Sequence, residues 1–316
     1  MSKKGLRSAH YIYGPVYSRR LGFSLGIDVI SSKICSFECV YCQLGKTSQK
    51  TIRRFKSVNL YRFKKELKDA LKRIGRIDYI TISGSGEPTL HRDLDVIIRE
   101  AKKISLGKIP VCVITNSSLL YRKDVREELT DADVIMPSLD APTQEVFEII
   151  NRPHRGISFE KVIDGLVRLR DEYTGNIFLE VMLIKGYNDR KDYAYMFREI
   201  IEKIKPDKIF LTLPYRPAPL SKASLIPSDS VTRYFRKVLG RNCVLIGKFN
   251  KASYTQKGKV NEDEVYASLR RRPQTERELI VAFKCSKVIL KNIIDSLLRK
   301  GRIYCLDKRR KIYCVR

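Results

Sequence analysis

From Phe23 to Leu213 the chain alternates short apolar runs with stretches of helical periodicity, and each run ends in polar, Gly or Pro residues. The runs are Phe23–Ile30, Ile77–Ser83, Ile109–Thr115, Val134–Pro137, Asn176–Ile184 and Lys208–Leu213. Runs this short and this continuously apolar read as strands buried on both faces. Between them, Leu60–Leu71, Leu94–Ile104, Val125–Leu129, Thr143–Ile150, Phe159–Tyr173 and Lys191–Ile204 place apolar residues at helical spacing. Strand and helix repeated six times predict an α/β chain, a parallel sheet with helices on its outer face. In such folds the chemistry sits at the C-terminal ends of the strands.

Two motifs fall at those ends. Cys35-Ser36-Phe37-Glu38-Cys39-Val40-Tyr41-Cys42 follows the first run and spaces three cysteines C-x3-C-x2-C. Three thiolates from one loop can hold three irons of a four-iron cluster and leave the fourth iron open. A structural metal knot is the alternative, but zinc sites usually pair C-x-x-C units or Cys/His sets. No histidine lies close to the three cysteines in the sequence, the next one after them being His91, and the chain has no second C-x-x-C. The second motif, Ile80-Thr81-Ile82-Ser83-Gly84-Ser85-Gly86-Glu87-Pro88, reads as a strand running into a glycine-rich turn that carries a carboxylate.

The cysteine spacing, with Tyr41 before the last cysteine, resembles the signature of the radical S-adenosylmethionine (SAM) superfamily. Gly84-Ser85-Gly86-Glu87 resembles that family's G-G-E segment, with Ser85 in place of one glycine. The resemblance implies a partial (β/α)6 TIM-like barrel. It also implies a [4Fe-4S] cluster on Cys35, Cys39 and Cys42, with SAM chelating the open iron and yielding a 5′-deoxyadenosyl radical. By the same carry-over Tyr41 faces the adenine, and Gly84, Ser85 and Gly86 let the backbone approach the methionine. Glu87 meets the amino group or braces the turn. Asn116, Ser138 and Asp140 stand where the family places ribose and carboxylate contacts, or are plain strand-end caps. Ser18-Arg19-Arg20-Leu21-Gly22, Tyr41-Cys42-Gln43-Leu44-Gly45, Asn151-Arg152-Pro153-His154 and Glu180–Gly186 together resemble one branch, over roughly residues 10–220. It is the stand-alone iron–sulfur oxidoreductases grouped with the tRNA wyosine (imidazoguanosine) synthases. Those synthases carry a second cysteine set ahead of the first, and no cysteine precedes Cys35, so a different reaction is expected. Lys185 is a candidate for a Schiff base or simply a solvated lysine. His154 is a candidate proton donor or a turn histidine.

Charge supplies the partner. Lys+Arg 63 against Asp+Glu 35 gives a net +28, a field that favours polyanions. A thermophile's solvated surface is the alternative, though such surfaces usually balance Lys with Glu. Arg19-Arg20 could meet a phosphate or be solvated, and residues 8–22, with a Gly14-Pro15 turn, are expected to cover one barrel end. After the barrel, Ser230–Leu239 reads as a helix, Cys243–Gly247 as a strand and Phe249–Val260 as a linker. Asp263–Leu269, a capping box at Thr275–Glu278 leading to Phe283, and Ser286–Lys300 read as helices. Arg302–Leu306 and Lys311–Val315 flank a basic turn. Residues 251–316 hold 18 Lys/Arg against 7 Asp/Glu and resemble a winged helix-turn-helix module that binds nucleic acid or protein. Two domains are therefore expected, 1–250 and 251–316. Cys112 and Cys243 read as core. Cys285, Cys305 and Cys314 share the C-terminal module, where Cys305 and Cys314 could face each other in a disulfide or a second metal site.

The chain is expected to be cytoplasmic, without a signal peptide or membrane span, and to work in a reducing compartment. The expected function is radical SAM modification of a nucleic acid, a tRNA base, with ferredoxin or flavodoxin as electron donor. An activase acting on a partner protein is the alternative among enzymes. An iron–sulfur redox-sensing DNA-binding regulator is the alternative from another class.

Overall fold

The computed structural model describes residues 11–30, 32–216, 218–219, 225–247, 260–271, 273–283, 285–309 and 311–315. The expected linker, but for Val260, and the expected boundary at 250/251 lie outside them. The chain order is β1 (Ile12–Ser18), β2 (Gly22–Asp28), β3 (Ile34–Cys35), β4 (Gln49–Lys50), α1 (Leu60–Arg73), β5 (Tyr79–Ser83), α2 (Leu94–Ile104), β6 (Val111–Thr115), α3 (Lys123–Leu129), β7 (Val134–Pro137), α4 (Gln144–Asn151), α5 (Phe159–Glu172), β8 (Asn176–Met182), α6 (Lys191–Ile204), β9 (Lys208–Thr212), α7 (Asp229–Leu239) and β10 (Cys243–Leu245). Then follow α8 (Glu262–Arg271), β11 (Gln274–Thr275), α9 (Glu276–Phe283), α10 (Lys287–Arg299), β12 (Ile303–Asp307) and β13 (Ile312–Val315).

Eight strands form one sheet in the order β1-β2-β5-β6-β7-β8-β9-β10. Every pairing from β2 onward is parallel, as the alternation predicts. β1 is the departure. Residues 12–18 do not cap a barrel end; they run antiparallel to β2 at the sheet's edge, with a register shift between Tyr13 and Val16. Gly14-Pro15 suggests a turn because proline cannot donate to a ladder, yet an edge strand with a bulge accepts it.

Strand residues alternate between two apolar clusters. Val113, Ile135, Leu179 and Leu211 face the helical layer, while Cys112, Val134, Met136, Phe178 and Phe210 pack together on the opposite, concave face. Phe178 and Phe210 meet edge to face at 5.7 Å. Above this apolar floor the concave face turns polar. Tyr13 and Ser83 share a hydrogen bond of 2.6 Å, Ser24 bonds Thr81, and Arg20 forms an ion pair with Glu180. Thr212 donates to Glu180 at 3.1 Å. Gly26 is required here, because a Cβ on it would meet the Tyr13 ring at 2.1 Å.

The helices start where capping residues stand. Asn59, Thr143, Ser158, Ser228 and Ser286 each accept a backbone N–H from the first turn of α1, α4, α5, α7 and α10, worth about 1 kcal/mol apiece. α1 buries Phe63, Leu67 and Ala70 against the sheet; Leu67→Ala there should cost about 2–5 kcal/mol. At the C-terminal end, α9 opens on the expected capping box. Glu278 N–H donates to Thr275 Oγ1 at 3.1 Å, and Thr275 N–H donates to Glu278 Oε2 at 2.9 Å. The three helices α8, α9 and α10 enclose a core of Val265, Leu269, Leu279, Leu290, Ile294 and Leu297, and β11, β13 and β12 form a separate three-stranded sheet. This segment is tied to the barrel by Arg216–Glu278 and Arg73–Glu264 ion pairs.

Candidate functional site

The three-cysteine loop hangs from the end of β2 and is clipped to the end of α4. Glu38 N–H donates to Asn151 O and Val40 N–H to Ile150 O, both at 2.9 Å. Phe37 packs edge to face on Phe147 at 5.4 Å, and Thr47 closes the loop by donating to Phe37 O at 2.8 Å. These contacts hold the loop against α4.

Cys35, Cys39 and Cys42 are free thiols. Burial pushes the Cys35 thiol up to about 12, with the Glu87 carboxyl adding to the effect. Cys39 is raised by burial and then by its neighbours Cys42 and Cys35. Two amides point at the sulfurs: Asn116 Nδ2 donates to Cys35 Sγ and Asn151 Nδ2 to Cys39 Sγ, each at 3.5 Å. Among the described residues no three His, Cys, Asp or Glu side chains converge on one ion. A mononuclear tetrahedral site needs such convergence, whereas an iron–sulfur cluster takes each thiolate on a separate iron. Neighbouring thiols in one rigid loop, met by N–H donors that stabilise charge on sulfur, fit that second group. Loading it must expel the thiol protons.

The glycine-rich turn is fused to this loop. A Cβ on Gly86 would lie 1.8 Å from Ile34 O, so only glycine allows the turn to abut the residue before Cys35. Ser85 donates through its N–H and hydroxyl to Asp28, at 3.2 and 2.9 Å. Glu87 is buried and accepts four hydrogen bonds: Thr89 N–H at 3.1 Å, Thr89 hydroxyl at 2.7 Å, Thr115 hydroxyl at 2.6 Å and Asn116 N–H at 2.8 Å. These bonds link the turn to the end of β6. Burial raises its carboxyl, and those four donors pull the other way. Arg54, also buried, holds the following turn by donating to Thr89 O at 2.9 Å and His91 O at 2.8 Å.

The remaining strand-end residues divide into two groups. Asn116 is a connector: its Nδ2 also donates to Ser36 Oγ at 2.9 Å, and its Oδ1 accepts Ser118 N–H. Ser138 belongs to the strand-end backbone, with its N–H on Thr115 O and its carbonyl accepting Ser117 Oγ. Asp140 gathers three donors: the Tyr41 hydroxyl, Asn151 Nδ2 at 3.3 Å and Met182 N–H at 3.0 Å. Burial pushes its carboxyl up to about 6. The Tyr41 hydroxyl is thus engaged by Asp140, and the residue packs against the apolar core. Tyr41, Asp140, Asn151 and Cys39 form one cluster; Glu87, Asn116, Ser36 and Cys35 form the other.

Lys185 stands apart from both, and His154 touches the second only through its backbone N–H. Lys185 is exposed, and its backbone N–H donates to Leu225 O. His154 acts in a turn: its Nδ1 accepts Gly156 N–H at 3.1 Å, and its N–H donates to Ser36 O at 2.8 Å. Arg19 and Arg20 are not a solvated pair. Arg19 donates to Gly247 O and lies over the Tyr215 ring, and Arg20 pairs with Glu180. Cys305 lies opposite Tyr313 and Cys314 opposite Tyr304. The two hairpin cysteines are diagonal neighbours, and both are free thiols rather than a disulfide. Asp28, Arg54, Glu180 and the sulfur contact of Asn151 escape sequence reasoning. Asn151 and Glu180 carried a signal, through the Asn-Arg-Pro-His phrase and the Glu180–Gly186 phrase.

A family model described as the radical SAM superfamily matches residues 29–197. The GTPase Obg of Brachyspira hyodysenteriae is 37% identical over 297 residues, covering 92% of this chain; the match spans 43% of that protein. A UPF0026 protein of Methanocaldococcus jannaschii is 32% identical over 314 residues, 96% of this chain and 95% of that one. The solved structure of TYW1 with a lysine-pyruvate adduct bound aligns with a TM-score of 0.53 at 21% identity, over 72% of this chain and 75% of that one. That likeness is one of fold. No helix among the described residues is long and apolar enough to cross a membrane.

Proposed function

The chain belongs to the radical SAM superfamily, whose enzymes use a [4Fe-4S] cluster and SAM, and from that premise we propose that it modifies a nucleic acid, a tRNA base in the first instance. In this reading Cys35, Cys39 and Cys42 each take one iron, and Asn116 and Asn151 steady two of the sulfurs. Gly84, Ser85 and Gly86 offer backbone to the methionine end of SAM, with Glu87 and Asp28 holding the turn in place. Tyr41, fixed through Asp140, presents its ring to the adenine. When bound, the cofactors supply a 5′-deoxyadenosyl radical for hydrogen abstraction. The chain's own part is to orient the groups above the apolar floor and keep water from them.

Residues 260–315 are read as a winged-helix module, with α9 and α10 as the helix pair and β12–β13 as the wing. The observation that carries the nucleic-acid reading is the wing tip, where Lys308, Arg309 and Lys311 are all exposed on a chain of net charge +28. The module would capture the polyanion, and the barrel would receive one extruded base. A partner protein is the second reading, favoured by Val288 and Ile289, which are 68% and 44% exposed at the start of α10. Membership of an enzyme superfamily tells against the DNA-binding sensor.

Mass spectrometry of digested tRNA from cells with and without the gene tests the proposal. A nucleoside lost on deletion supports it; an unchanged profile overturns it in favour of a protein substrate.

A further inference from the structure

We propose that the connection between α4 and α5 is the docking surface of an acidic one-electron carrier protein that reduces the cluster. The proposal rests on the reading that Cys39 is a cluster ligand. Residues 151–157 form the back wall of the cysteine loop. Asn151 O accepts Glu38 N–H, His154 N–H donates to Ser36 O, and the Asn151 amide reaches Cys39 Sγ. A protein seated on this wall is one layer of residues from the sulfurs, and a short hydrogen-bonded path favours electron transfer.

The wall lines a cavity of about 560 Å³ whose charged lining is Lys50, Arg152, Arg155 and Lys161 against the single carboxylate Glu148. Several arginines elsewhere on the helical layer carry counter-ions, as in Arg168–Asp164, Arg190–Asp192 and Arg198–Glu202. Arg152 and Arg155 are exposed and have no ion pair among the described residues. The positive charge here is therefore unneutralised. Two of the ammonium groups also tie down the backbone of this connection, Lys50 Nζ donating to Arg152 O at 2.9 Å and Lys161 Nζ to Gly156 O at 3.0 Å. A small, charge-steered, rapidly exchanging interface suits a carrier that must arrive, discharge and leave.

The chemistry balances simply. The reduced carrier, a flavin or iron–sulfur protein of low potential, loses one electron and the cluster gains it; no bond is made or broken at the interface.

The test uses the full chain, loaded with cluster and SAM, and reduced flavodoxin as an acidic carrier. In the double variant Arg152→Glu/Arg155→Glu, flavodoxin-driven SAM cleavage at low salt should fall about tenfold or more, while dithionite-driven cleavage stays at the wild-type rate. Calorimetric titration should show flavodoxin affinity falling in parallel, and salt should weaken wild-type binding more than binding by the variant. Arg198→Glu on α6 should change neither. An unchanged flavodoxin-driven rate and affinity would overturn the proposal, as would an equal fall in both assays. So would lost tRNA affinity with intact flavodoxin-driven turnover, which would give the patch to nucleic acid. Absence of dithionite-driven cleavage in the wild type would instead sink the functional reading beneath it.

Discussion

Replacing Glu87 with glutamine separates bracing the turn from contacting SAM. The wild-type carboxyl accepts three bonds at Oε1, from the Thr89 N–H and the Thr89 and Thr115 hydroxyls, and one at Oε2, from the Asn116 N–H. Glutamine keeps one acceptor oxygen. Its amide oxygen will stay with the three donors, so its NH2 must face the Asn116 N–H, donor against donor, at a buried position. One lost bond and one orphaned backbone N–H cost about 1–3 kcal/mol. For a chain of this size a loss of 2 kcal/mol lowers the melting temperature by about 3 °C. The assay is thermal unfolding of the cluster-free protein without SAM. A clear fall in melting temperature is expected before any cofactor is present. An unchanged melting temperature, with SAM affinity alone weakened in the loaded protein, would refute the brace and return Glu87 to the cofactor.

Other outcomes follow from the same geometry. Cys39→Ala should strip the protein of bound iron after reconstitution and abolish SAM cleavage; retained iron in the purified variant would sink the ligand assignment. Asn151→Ala removes an N–H donor from the Cys39 sulfur, and a hydrogen bond of about 0.5–1.5 kcal/mol corresponds to a cluster potential about 20–65 mV more negative, readable by a redox titration. Asp140 has a folded value of about 6 against an ordinary 3.8, so the fold favours its protonated form. That contribution is fully present below the ordinary value and is lost as pH rises through 6. Relative to Asp140→Asn, the cluster-free wild type should lose about 2 kcal/mol of stability between pH 4 and 7, measured by denaturant unfolding; a difference independent of pH would contradict the burial argument.

The barrel strands and helices were legible because their signals are local. Val134–Pro137, Leu94–Ile104 and Lys191–Ile204 begin and end where the apolar pattern does. β1 was not, because Gly14-Pro15 dominates its local pattern while its pairing with β2 is set by the edge of the finished sheet. The same divide runs through the site. The cysteine spacing and the glycine turn are visible as strings. That Gly86 must touch Ile34, that Asp28 holds Ser85 and that Arg54 holds the turn after Glu87 are facts of closure between distant segments. Arg19 and Arg20 show the opposite error. A basic pair reads as surface, yet Glu180 and Gly247 lie within reach once the sheet curls.

The apolar floor of Cys112, Val134, Met136, Phe178 and Phe210 closes one end of the concave face, while the cysteine loop stands at the other end, where the strands finish. A small ligand lying beside the cysteine loop must arrive before a bulky one that covers that end, and cannot depart until that one does. Steady-state kinetics should then show compulsory order, with the larger partner acting as the stopper that keeps bulk solvent out while it is in place.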